Sequence, residues 1–147
     1  MDVGLQFAAI WDDADMIELR VIASSAAFRG EAKVYVAIGQ LEEAAATLKG
    51  FPQSPADVRE LTLGSFDPGY VRGAINMRFY CTDSSGHAYV EAKIESQEKP
   101  GGTHESALLS IPIEAAALDS FVEELRRLES RKSGIARLIR APAADRR

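Results

Sequence analysis

Hydrophobic positions recur at every second residue along two pairs of segments. In the first pair, Ile17, Leu19, Val21 and Ala23 form one row and Phe28, Gly30, Ala32, Val34, Val36 and Ile38 the other, on either side of Ser24-Ser25-Ala26-Ala27. A period of two is that of a strand with one buried face, so this stretch predicts a β-hairpin. A four-residue loop pairs Ala23 with Phe28 and sets Arg20 opposite Glu31 and Glu18 opposite Lys33. Such opposed charges favour a register by roughly a few tenths of a kcal/mol each.

The second pair is built around Asp83-Ser84-Ser85-Gly86, a turn-rich stretch with glycine placed to take positive φ. Val71, Gly73, Ile75, Met77, Phe79 and Cys81 share one face of the first strand, and Ala88, Val90, Ala92 and Ile94 the matching face of the second. On the other face the register pairs Thr82 with His87, Tyr80 with Tyr89 and Arg78 with Glu91.

Elsewhere the period lengthens to that of a helix. Leu41, Ala44, Ala45 and Leu48 predict a helix over Gln40 to Lys49, stopped by Gly50 and kept from resuming by Pro52 and Pro55. Leu118, Phe121, Val122, Leu125 and Leu128 predict a second over Glu114 to Ser130. Short strands are expected at Val58 to Leu63 and at Ala107 to Ile113, where Pro112 places the second at an edge or a strand end. Val3, Leu5, Phe7 and Ala9 allow one more at the start. The expected fold class is therefore α+β: an antiparallel sheet of about six strands, in the order ββ-α-ββββ-α, packed with two helices.

With 147 residues, 46% of them hydrophobic, the chain is expected to form one domain over residues 1–130. No repeat of solenoid period is present. The apolar run from Val3 to Trp11 is too short to cross a bilayer and ends at Asp12 and Asp13, so neither a signal peptide nor a membrane segment is expected. One cysteine, Cys81, cannot form an internal disulfide and suits the cytoplasm.

Charge changes the picture at the end of the chain. Residues 1–130 carry eleven basic against twenty-one acidic residues, a net of −10, whereas residues 131–147 carry six against one, a net of +5. That basic tail is read as a flexible arm, or else as a segment whose Ile135, Leu138 and Ile139 dock on the domain. An acidic body disfavours nucleic acid and fits a basic protein partner.

Signatures of catalysis are absent: no phosphate-binding glycine loop, nucleophile elbow or paired metal-ligand motif occurs. Cys81, Asp83 and His87 cluster in sequence, but the strand period puts the thiol on the opposite side of the sheet from the imidazole. His87, His104, Asp83 and Glu105 lack metal-ligand spacing, and no cofactor is expected. The candidate site is instead an outer sheet face carrying Tyr35, Arg78, Tyr80, His87, Tyr89 and Glu91, residue types that anchor protein interfaces. A pocket in which Arg72 or Arg78 holds an anionic ligand is the alternative, and self-association through a face or an edge strand is compatible with either.

Four stretches carry a resemblance: Phe28-Arg29-Gly30-Glu31, the Leu41 to Leu48 helix, the Asp83 to His87 turn opening a strand to Glu91, and the helix marked by Glu114, Leu118, Phe121 and Leu125. Over residues 16–128 this layout resembles a loose group of small bacterial proteins, some relatives of which are grouped with immunity proteins of wall-associated polymorphic toxins. The resemblance transfers no catalytic residue. It implies a cytoplasmic bacterial protein that acts by binding and blocking a partner.

Overall fold

A computed structural model describes residues 2–69, 73–97 and 102–139. The chain runs β1 (Gly4–Asp12), β2 (Met16–Ser24), β3 (Arg29–Ala37), α1 (Gln40–Leu48), β4 (Arg59–Gly64), β5 (Ala74–Cys81), β6 (Ala88–Gln97), β7 (His104–Ile113), α2 (Ala115–Arg131) and β8 (Ile135–Ile139). The class is α+β, as the periodicities require. Among the described residues the strands number eight, however, and they divide into two antiparallel sheets, ordered β3-β2-β1-β8 (sheet A) and β4-β5-β6-β7 (sheet B).

The order contains a duplication. Three meandering strands, a helix and a strand occur twice, as β1-β2-β3-α1-β4 and as β5-β6-β7-α2-β8. Each unit's closing strand leaves its own meander: β4 pairs with β5 and β8 pairs with β1, so each sheet is completed by the other unit.

Alternation decides which side of each sheet is dry. Leu5 and Phe7, then Ile17, Leu19, Val21 and Ala23, then Ala32, Val34 and Val36 are buried on one side of sheet A. Ile75, Met77 and Phe79 with Val90, Ala92 and Ile94 are buried on one side of sheet B. The two helices share this single core. Phe121 of α2 meets Phe7 edge-on at 5.4 Å, and Phe51 beyond α1 meets Phe79 at 6.0 Å. Both helices therefore lie on the dry side, packed on each other, α1 against β3 and β4 and α2 against β8. The sheets touch where β3 crosses β4, β5 and β6 and where β7 meets β1 and β2. Glycine permits the approach: a Cβ on Gly30 would run into Ile94, and the Gly73 N–H donates to the Lys33 carbonyl at 2.8 Å.

Three expectations need correction. In the first hairpin the register is Ala23 with Gly30, not with Phe28, so Arg20 faces Lys33 and Glu18 faces Tyr35. The turn centres on Ala26 and Ala27: the Ser25 N–H donates to the Phe28 carbonyl at 2.8 Å and the Phe28 N–H to the Ser25 hydroxyl at 3.1 Å. A shift of two residues keeps every side chain on its face, so alternation could not detect it. Arg20 still reaches Glu31 diagonally at 3.6 Å. Phe28, assigned to the apolar row, lies in the turn and is 71% exposed. Finally, part of the basic tail is a strand: β8 buries Ala136 and Leu138 against β1, while Ile135 faces solvent. Residues 140–147 lie outside the described residues, as do Arg72 and Val71.

Candidate functional site

The wet side of sheet B is organised from the β5–β6 turn outward. Asp83 Oδ1 accepts the N–H groups of Ser85 at 2.9 Å and His87 at 3.3 Å, and Gly86 takes φ +82°. An aspartate that bonds the backbone two residues on closes such a turn, and glycine supplies the left-handed position at no steric cost. The turn fixes the ladder. The Thr82 N–H donates to the His87 carbonyl at 2.9 Å, which sets Tyr80 opposite Tyr89 and Arg78 opposite Glu91, as the sequence reading had it.

Those four residues form one cluster. The Tyr80 and Tyr89 rings stack with centroids 6.2 Å apart and 23° between planes, and the Arg78 guanidinium lies 4.9 Å from the Tyr80 centroid. Register extends the rows across the sheet: Glu60, Arg78, Glu91 and Ser110 form one, Tyr80, Tyr89 and Pro112 the next. Arg78 thus sits between two carboxylates along the row. Asn76 donates to Glu60 at 3.0 Å and to Thr62 at 2.8 Å, and the Lys93 ammonium lies 5.1 Å from the Phe66 ring. Arg78, Tyr80, Tyr89 and Glu91 are all half-buried, and the helices pack on the opposite side of the sheet. A hollow of about 510 Å³ borders this face at His87, Tyr89, Pro112 and Glu114.

One sequence candidate falls elsewhere. Tyr35 belongs to β3 and lies on the wet side of sheet A, where its ring meets Trp11 at 6.3 Å. A β-bulge between Ala9 and Trp11 turns Trp11 from the dry side to the wet, so that Trp11, Glu18 and Tyr35 form a row. Glu18 is 7% exposed between the two rings. Sequence reading missed this aromatic pair because a strict period of two would have sent Trp11 inward; a bulge breaks that period without marking itself in composition. A groove of about 370 Å³ opens beside it, lined by Met16, Tyr35, Gln40 and Ser65.

His87 stands at the turn, exposed, its Nδ1–H donating to Asp83 Oδ2 at 2.7 Å. That bond, with the backbone N–H groups, holds the Asp83 carboxyl below its ordinary value. Cys81 turns the other way and packs against the core. Burial, reinforced by the charges of Asp57 and Asp83, pushes its thiol up, the reverse of what a nucleophile needs. His104 opens β7 opposite Gln97, at the far end of the ladder from His87. Among the described residues no group of three histidine, cysteine or carboxylate side chains could hold a metal ion, and no helix is long and apolar enough to cross a membrane. Arg78 lies on the side of sheet B away from the helices, and Arg72, the other arginine of the pocket reading, lies outside the described residues. No family model, curated protein or solved structure matches this chain.

Proposed function

We propose that the protein is a non-enzymatic binding module whose wet face of sheet B engages a protein partner, in the manner of an immunity protein that occludes a toxin domain. The observation that carries this reading is the stacked Tyr80–Tyr89 pair with Arg78 against it, left facing solvent between Glu60 and Glu91. Tyrosine and arginine bury large areas while keeping hydrogen-bonding tips, and such residues at a patch centre supply most of an interface's affinity. The acidic body favours a basic partner and would speed its approach. Occlusion needs shape and charge complementarity and no chemistry, which suits a face whose groups are stacked and paired rather than poised to react. The partner is thus a basic protein surface, and no cofactor enters.

The test is affinity capture with the native chain, a Tyr80→Ala/Tyr89→Ala double variant and a Tyr35→Ala variant. A basic partner held by the native chain and by Tyr35→Ala but released by the double variant is the expected result, the double variant keeping its native circular dichroism. A partner held equally by all three would move the site off this face.

A further inference from the structure

The two sheets have four edge strands, and they are finished differently. On β3 the Lys33 carbonyl accepts the Gly73 N–H, and on β8 the Glu124 carboxylate accepts the Arg137 N–H at 2.7 Å. β4 is six residues long and lies against α1. β7 is ten residues long, and among the described residues nothing hydrogen-bonds to its outer edge.

Which groups that edge presents follows from the ladder. Opposed residues in antiparallel strands alternate between those that exchange hydrogen bonds and those that do not. The Thr82–His87 bond puts Tyr80–Tyr89 and Arg78–Glu91 in the bonding phase of β5–β6. The intervening residues Ala88, Val90, Ala92 and Ile94 must then bond to β7, through Ile113, Ile111, Leu109 and Ala107. The N–H and C=O groups of Ser106, Leu108 and Ser110 are left pointing outward. Position 112 falls in the same phase and is proline, so its missing N–H faces the open edge and the ladder loses nothing.

We propose that β7 pairs antiparallel with β7 of a second copy about a two-fold axis at Leu108, joining two sheets B into one. In that register Leu108 opposes Leu108 and Ser106 opposes Ser110, and every one of these pairs is in the bonding phase. The edge is its own complement, as an isologous interface requires. Leu108 is 65% exposed, more than any other large hydrophobic side chain on a described strand, and the pairing sets two such leucines in contact. Glu105 falls opposite Ile111, so no like charges meet. A long edge with an exposed apolar residue and no charge, bulge or covering element along its centre is the kind that pairs with another chain.

Light scattering on the full chain over a concentration series tests this. The native chain is expected at the mass of two chains. Leu108→Lys, which sets ammonium against ammonium across the axis, and Ser106→Pro, which removes a donor the monomer leaves unused, are each expected at the mass of one, with native circular dichroism. If one of them fails to fold, the other carries the test. Ile135→Lys, a comparable change on the guarded edge of sheet A, is expected to stay at two. A native chain of single mass throughout, or a double mass that survives the Leu108 and Ser106 variants, overturns the proposal. The partner reading stands or falls separately, on Tyr80 and Tyr89.

Discussion

Arg59 shows how much one side chain can hold. Its Nη1 donates to the Thr47 and Lys49 carbonyls at 3.1 and 2.7 Å, closing the C-terminal end of α1, which has no basic residue in its own last turn. Its Nε and Nη2 grip Asp57, whose Oδ2 also accepts the Gln53 N–H at 2.9 Å. The guanidinium lies 5.8 Å from the Phe51 ring. Cation, acid and aromatic thus tie the α1–β4 loop to the helix it follows. The Arg59 hydrogen bond, then the Gln53 N–H, hold the Asp57 carboxyl below its ordinary value of 3.8. A depressed folded value means stability that is present above the unfolded value and lost as pH falls through the folded one. The native chain is therefore expected to melt above Asp57→Asn at neutral pH, with the gap closing below about pH 4. Melting curves of both chains across that range check it; a gap that persists unchanged in acid would mean that the carboxylate charge contributes nothing. This cluster was not legible in the sequence, because Asp57 and Arg59 gain their role from carbonyls ten and twelve residues away.

Among the elements, α1 begins without a cap of its own. Gly39 has no side chain to offer, and Glu129 of α2 takes the N–H groups of Gly39 and Leu41, each at 3.0 Å. Arg126 of α2 bonds Glu42 at 3.0 Å one turn on. Removing a capping acceptor typically costs about 0.5–2 kcal/mol. Glu129→Ala is expected near the upper end and Glu129→Gln, which keeps an acceptor, nearer the lower, as urea unfolding would measure; equal losses would show that the cap is not what Glu129 supplies. The helices themselves were readable, to within one residue at each end, because their apolar spacing is regular and Gly50, at φ +78°, sits where the first must stop. The β5–β6 hairpin was readable to its register because Asp83 and Gly86 admit one turn. The β2–β3 hairpin was not. Its two candidate registers differ by two residues and share every face, and Ser25, which selects between them, looks like any loop serine.

At the scale of the molecule, the repeated order of elements has little counterpart in the sequence. The helices keep the same apolar spacing, Leu41, Ala44, Ala45 and Leu48 against Leu118, Phe121, Val122 and Leu125, but spacing alone is the property of any amphipathic helix. The outer face that groups Arg78, Tyr80, Tyr89 and Glu91 was legible from one hairpin. Tyr35's separation from them was not, since period-two patterns say which side a residue takes and never which sheet. Exchange of the closing strands also has a thermodynamic consequence. Neither unit can open without unpairing a strand from the other's sheet, so unfolding should be a single transition. Leu138, buried in β8, is the place to ask: Leu138→Ala is expected to cost about 2–5 kcal/mol and to lower together the transitions seen by Trp11 fluorescence in sheet A and by the Tyr80–Tyr89 near-ultraviolet signal in sheet B. Two separated transitions would contradict it.

The same exchange sets a schedule for synthesis. Sheet B receives its visiting strand early, since β4 is made before β5 and waits for it. Sheet A must be finished by β8, made after all the others, so throughout elongation the flank of β1 that β8 will occupy stays open. Open strand flanks on nascent chains are where misassembly starts. Until the ribosome has passed Ile139, the half of the protein that was translated first is the half still incomplete.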